Sequence, residues 1–327
     1  MKLNLEQIKA ITKGAVEVTE EKGWFHFHRF TAAQRELYRT LRPQFNDKIL
    51  ATAGVRLSFE TDSEFLRFDY ILRIGSSRHY GYFDVYENGV LKHHFGDEVS
   101  EVLEGRGEVS LTPGMKKLEV HFPWSSIAEL ANVELSDGAY VGATKKSLRM
   151  IAFGDSITQG YSAIYPSLTY MSRLTDMLDA ECFNKAIGGD KFFPELADSP
   201  DPVEPDLITV AYGTNDWSGC PREEAEEKCR GFYQNLAMRY PNSRIFALTP
   251  IWRKNSDKIT KFGAPLSAMA EMIASVCAEL PNVTVIRGDG FVPWLEEFYE
   301  DLRLHPNDMG FDFYARNLYN ALRPYNK

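Results

Sequence analysis

The stretch "MIAFGDSITQGY", residues 150–161, runs from apolar Met150, Ile151, Ala152 and Phe153 through Gly154 and Asp155 to Ser156 and a helix-like segment. Ser156 therefore falls in a strand-to-helix turn. At such a turn a hydroxyl and a backbone N–H meet the positive end of the helix dipole, which favours developing negative charge and suits a nucleophile. Taken alone, Ser156 would more often be a helix N-cap than a nucleophile, and so would Asp155. Gly154-Asp155-Ser156-Ile157-Thr158 is not G-x-S-x-G, so the nucleophile elbow of α/β-hydrolases is not indicated.

The rhythm on the C-terminal side of this stretch alternates strand with helix. "LRMIAF", "ECFNKAI", "DLITVAY", "RIFALTP" and "NVTVIRG" read as strands buried on both faces. Between the first two, Leu168, Met171, Leu174 and Leu178 mark one side of a helix. The segment "PREEAEEKCRGFYQNLAMRY" opens another with Pro221 and acids suited to its N-terminus. Strict alternation predicts a three-layer α/β fold, a doubly wound parallel sheet whose ligands sit at the carboxyl ends of the strands.

On the N-terminal side the period is two. In "FLRFDYILRI", Leu66, Phe68, Tyr70, Leu72 and Ile74 alternate with Arg67, Asp69 and Arg73, the pattern of a half-buried strand. "GVRLSF" and "KLEVHF" repeat it, and Asn88-Gly89 stands between two strand-like runs, where a tight hairpin needs positive φ. Successive antiparallel strands without a convincing long helix between 50 and 145 predict a jelly-roll β-sandwich. The expected division is 1–145 for the sandwich and 146–327 for the α/β domain, with the loop-like "SDGAYVGATKKS" as the join.

Composition agrees with a folded two-domain protein: 327 residues, 44% hydrophobic and 25% charged. A net charge of -9 argues against a surface that neutralises phosphates, so nucleic acid is not an expected partner. No window approaches the roughly 18 apolar residues of a membrane helix, so no membrane partner is expected. The opening residues lack the apolar core of a signal peptide, so a soluble, cytoplasmic protein is expected. Cys182, Cys220, Cys229 and Cys277 have no C-x-x-C pairing and read as reduced, buried thiols.

Three strand ends carry hydrogen-bond donors. Beside Ser156, "NKAIGGDKF" places Gly188 and Gly189 where backbone can approach a bound group, and "AYGTNDW" offers the Asn215 amide. One donor from each of these three neighbouring strand ends would make an oxyanion hole. The only histidine of the C-terminal half, His305 in "YEDLRLHPNDMGF", is the available base.

"FGDSITQG", "NKAIGG", "YGTND" and "DLRLHPND", in that order, resemble the four blocks of the SGNH (GDSL-type) hydrolases, whose catalytic domain is flavodoxin-like. The resemblance implies Ser156 as nucleophile, the Ser156 and Gly189 N–H groups and the Asn215 amide as oxyanion donors, and His305 as general base. It implies no metal and no cofactor. Ala186 stands where the family often has glycine. In the family an acid commonly lies three residues before the histidine, but here that position is Leu302, and Asp301 lies four before. An extra loop residue would let Asp301 reach the imidazole. Otherwise Asp308, another acid or a backbone carbonyl orients His305, leaving a Ser-His dyad.

The sandwich ahead of this domain is similar to that of two-domain carbohydrate O-acetyl esterases. The function this implies is hydrolysis of short acyl esters, O-acetyl groups on carbohydrates first among them, in a small-molecule or oligosaccharide substrate. A lipase or thioesterase for longer chains, and a non-catalytic carbohydrate-binding protein, are the alternatives. Trp217, Tyr161 and Phe192 follow the blocks and are expected either to line the substrate pocket or to pack in the core. Asp155 reads as structural, while Asp216 and Asp308 read as helix caps. His26 and His28 share a strand face but have no third ligand for a metal. Exposed sandwich edges would allow a homo-oligomer.

Overall fold

The computed structural model describes residues 1–325. Its N-terminal part holds eight principal strands: β1 (Trp24–His28), β2 (Arg56–Thr61), β3 (Phe65–Ile74), β4 (Tyr80–Glu87), β5 (Val90–Glu98), β6 (Val102–Ser110), β7 (Lys116–His121) and β8 (Ser126–Leu135). They form two antiparallel sheets, ordered β2-β7-β4-β5 and β1-β8-β3-β6, with short strands added at the edges. This interleaving is the double Greek key of a jelly roll. Asn88 and Gly89 both have positive φ, 50° and 78°, and turn β4 into β5.

The period-two pattern explains the sandwich core. Leu66, Phe68, Tyr70 and Leu72 of β3 are buried against Leu57, Phe59, Phe83, Val85 and Val120 of the facing sheet. Phe68 and Phe83 meet edge to face at 5.5 Å, and Phe27 and Phe122 at 4.7 Å. Burial of each such ring is worth about 2–3 kcal/mol.

The C-terminal part is a five-stranded parallel sheet: β9 (Leu148–Gly154), β10 (Ala180–Asn184), β11 (Leu207–Ala211), β12 (Arg244–Leu248) and β13 (Val283–Ile286), ordered β10-β9-β11-β12-β13. Counted from β9, this is the 2-1-3-4-5 order of flavodoxin-like folds. Ile151 and Phe153 of β9 face a layer that includes α4 (Arg222–Arg239) and α5 (Leu266–Cys277). Met150 and Ala152 face α3 (Tyr170–Met177) and α6 (Asp308–Leu322). The first four strands carry continuous buried runs because both faces are covered. β13, at one edge of the sheet, differs from expectation: all four of its residues are only partly buried.

The chain passes from sandwich to parallel sheet between Ala143, still paired to β2, and Leu148, the start of β9. One segment crosses this division. Residues 29–50, between β1 and β2, include helix α1 (Ala32–Leu41), started by a capping box between Thr31 and Gln34. Its Phe30, Tyr38, Phe45 and Ile49 belong to the core of the parallel-sheet domain. Elsewhere the domains meet through Trp124, which is 1% exposed and donates from Nε1 to the Ala163 carbonyl at 2.8 Å. Arg56 of β2 also pairs with Asp176 at 2.6 Å.

Candidate active site

β9 ends at Gly154, and the one-turn helix α2 (Ser156–Gln159) begins two residues later. Asp155 caps α2 by accepting the Ile157 N–H at 3.0 Å, so its carboxylate holds the turn rather than facing solvent. Ser156 occupies the first helical position, 5% exposed, and its Oγ lies 3.0 Å from His305 Nε2. The other ring nitrogen, Nδ1, lies 2.8 Å from Asp301 Oδ2. Serine, imidazole and carboxylate thus form one hydrogen-bonded line.

Asp301 reaches the ring because of the loop around it. Leu302 adopts φ 52°, and Asp301 Oδ1 accepts the N–H groups of Arg303, Leu304 and His305 at 3.0, 2.7 and 3.1 Å. Burial alone would raise this carboxyl. The His305 ring and the Leu304 and His305 amides donate to it and instead hold it well below the usual carboxylate range. The extra residue before the histidine is absorbed in a turn, and Oδ2 stays aimed at Nδ1. Asp308 does not approach the ring as a hydrogen-bond partner. Nor does it cap α6, because Asn307 occupies that position and accepts the Gly310 N–H at 3.0 Å.

The predicted donors follow β9, β10 and β11, which lie side by side in the sheet. Gly189 has φ 91°, a conformation open to glycine, and its N–H bonds no other group among the described residues. The Ser156 N–H, first in its helix, has no intrahelical acceptor. Asn215 spends one amide hydrogen on the Asp190 carbonyl at 2.9 Å and keeps the other free.

The three aromatic candidates separate. Tyr161 lies beside the triad, its ring 5.5 Å from that of His305 and its hydroxyl 3.2 Å from Ser77 Oγ of the sandwich. Phe192 is fully buried against Tyr212, Phe232 and Tyr233 and is a core residue. Trp217 is also in that core, 3% exposed, with Nε1 bonded to the Ala264 carbonyl and Arg253 over its ring. The expectation that Phe192 and Trp217 line a pocket is corrected: the large apolar area that made them candidates is spent on packing.

Asp216 is likewise not a helix cap. It lies inside the helix Thr214–Gly219, fully buried, where Oδ1 accepts the Phe192 N–H at 3.2 Å and Oδ2 has no partner. Burial pushes its carboxyl up to about 7, against the Phe192 hydrogen bond. The folded state therefore holds a proton that the unfolded chain releases near pH 4, and stability is lost as pH rises from about 4 towards about 7. Asp216→Asn is expected to flatten the fall of Tm over that interval, removing on the order of 4 kcal/mol of pH dependence. Thermal melts across the range check this, and an equally steep fall in the variant would overturn it.

His26 of β1 faces Glu129 at 3.5 Å, and among the described residues no three His, Cys, Asp or Glu side chains gather as a metal site. The four cysteines are free and buried. Among the described residues, no helix is long and apolar enough to cross a membrane. Two cavities lie away from the serine and histidine. One of about 750 Å³ opens at the amino ends of the strands beside Leu148, Leu207 and Arg244, and a groove of about 390 Å³ runs by Trp252 and Trp294. Neither is lined by Ser156 or His305.

Residues 29–50 contribute parts of the site's surroundings that sequence reasoning missed. Arg29, 1% exposed, donates to the carbonyls of Asn184 and Ala186 in the loop leading to Gly189, and to Ala51 and Lys48 on its own side. Lys185 pairs with Asp201 at 2.6 Å and donates to the Arg29 carbonyl. Arg42 and Tyr38 both bind Asp190. The only trace in the sequence was an amphipathic helix pattern in an otherwise β-rich region.

Residues 152–313 match the model of the GDSL-like lipase/acylhydrolase family. The chain carries a GDSL-like acylhydrolase domain and is a carboxylic ester hydrolase. No curated protein matches its sequence. Among solved structures it is similar to the salicylyl-acyltransferase SsfX3 from a tetracycline biosynthetic pathway, with 22% identity, a TM-score of 0.81, and coverage of 96% of this chain and 94% of that one. A Bacteroides ovatus ATCC 8483 protein assigned as a GDSL-like lipase gives 19% identity, a TM-score of 0.79, and coverage of 99% and 97%. A family two carbohydrate esterase from Clostridium thermocellum, in complex with cellohexaose, gives 15%, 0.63, and 84% and 93%. At these identities the likeness is one of fold, and it extends over both domains.

Proposed function

We propose that this chain is a serine esterase that removes short acyl groups, O-acetyl groups on carbohydrates, through an acyl-enzyme on Ser156. The observation that carries the reading is the unbroken line Ser156 Oγ, His305 Nε2, His305 Nδ1, Asp301 Oδ2. His305 takes the Ser156 proton as Oγ attacks the ester carbonyl, and the ionised Asp301 stabilises the imidazolium. The tetrahedral oxyanion is held by the Ser156 and Gly189 N–H groups and the Asn215 amide. His305 then protonates the departing alcohol, and a water activated by the same ring releases the acid.

Two observations favour a short acyl group and a sugar alcohol. Neither the cavity beside Leu148 nor the Trp252–Trp294 groove is lined by Ser156 or His305, and the sandwich-plus-hydrolase fold is shared with a carbohydrate esterase solved in complex with cellohexaose. The test is kcat/KM for p-nitrophenyl esters from acetyl to octanoyl, followed by acetylated oligosaccharides. A steep preference for acetyl, with acetate released from the sugars, is the expected result. A preference for long chains would move the reading to lipase or thioesterase. No turnover on any ester would move it to a carbohydrate-binding protein.

A further inference from the structure

Gly188 and Gly189 share one peptide unit, in which the carbonyl belongs to Gly188 and the N–H to Gly189. No peptide bond among the described residues is cis, so this C=O and N–H point in opposite directions across a rigid plane. A plane flanked by two glycines meets little steric resistance to rotation, because neither neighbour has a Cβ. Something else has to hold it.

Two side chains do so. Gln159 of α2 accepts the Gly188 N–H at 2.7 Å, fixing the preceding plane. Lys48 donates from Nζ to the Gly188 carbonyl at 2.7 Å, fixing the plane that carries the Gly189 N–H. Lys48 belongs to the segment between β1 and β2. Its carbonyl is tied to Arg29 Nη2 at 3.2 Å, and its ammonium lies 5.4 Å from the centre of the Phe45 ring. Phe45 and Lys48 are also the nearest neighbours to the point where a Gly189 Cβ would sit, at 3.7 and 3.9 Å.

We propose that Lys48 is a positioning residue for ester hydrolysis: its ammonium orients and polarises the Gly188–Gly189 peptide so that the Gly189 N–H is aimed at the oxyanion. The proposal rests on the reading of Gly189 as an oxyanion donor. A charge-assisted hydrogen bond to a carbonyl draws electron density towards its oxygen and strengthens the N–H on the far side as a donor. The benefit is greatest when negative charge develops opposite that N–H, so it appears in the transition state more than in the bound ester. It follows that the jelly-roll half of the chain completes the oxyanion site, through a residue that never touches substrate.

The experiment compares Lys48→Met, Lys48→Arg and Asn215→Ala in the full chain. It measures kcat and KM on p-nitrophenyl acetate and the affinity for an alkyl boronic acid, which forms a tetrahedral adduct on serine. Lys48→Met is expected to lower kcat by on the order of 10- to 100-fold and to weaken boronate binding in parallel, with KM within about twofold; Lys48→Arg recovers most of the loss. Unchanged kcat and boronate affinity in Lys48→Met overturns the proposal, as does a rise in KM alone. A loss that Lys48→Arg does not recover, accompanied by a lowered Tm, overturns it in favour of a purely structural lysine. If Asn215→Ala loses kcat while Lys48→Met does not, only the lysine proposal falls. If neither loses it, the oxyanion reading falls as well.

Discussion

Ser156→Ala is expected to lower kcat for p-nitrophenyl acetate by on the order of 10⁵–10⁶, the largest effect of any single change in this chain. The hydroxyl's hydrogen-bond partner is His305, and the cap that holds α2 comes from Asp155, so removing Oγ leaves the turn in place. Tm should therefore stay close to that of the parent. Steady-state kinetics beside a thermal melt check both expectations. Residual turnover above about a hundredth of the parent's, in a folded variant, would show that another group attacks the ester.

Asp301→Asn is expected to cost about 10⁴ in kcat, and the geometry gives the reason. Asp301 Oδ1 is held by three backbone N–H groups, so the amide oxygen of an asparagine has to take that side. Its NH₂ is then turned towards His305 Nδ1 and forces that nitrogen to accept. The ring proton moves to Nε2, and the base can no longer take the proton of Ser156. Asp301→Ala would lose the loop anchor too and should lower Tm as well as kcat. Measuring kcat for Asp301→Asn and Asp308→Asn side by side checks the assignment. Near-parent activity in the first with loss in the second would move the orienting role to Asp308.

Asp301 also marks where local reading stops. It lies four positions before His305 where the family pattern has three, and counting along the chain leaves several orienters open. The choice depends on Leu302 entering a left-handed turn stabilised by three amides, a property of the folded loop. Phe192 and Trp217 make the same point in the opposite direction. Both follow a catalytic block and have faces suited to a sugar, yet one is enclosed by Tyr212, Phe232 and Tyr233 and the other by Ala264 and Arg253.

Residues 29–50 were the least legible part of the molecule. They lie within the sandwich half of the sequence but pack on a loop about 150 residues further along, with Lys48 bonded to Gly188 and Arg29 to Asn184. Contacts at that separation leave no periodicity behind, and buried Arg29, Lys185 and Asp201 resemble surface residues until their partners are placed.

Local patterns along the chain are enough for the two architectures, and the four ordered blocks, through their resemblance to the SGNH hydrolases, single out Ser156 and His305 as the candidate reacting pair. The architectures rest on local periodicity, and the pair rests on short motifs that are contiguous in the chain. The tertiary structure alone decided which acid orients His305, which aromatics stay buried, and that a segment ahead of β2 reaches across to hold the Gly188–Gly189 peptide. Each of these depends on distances between parts of the chain that have no reason to be near one another until both cores have closed.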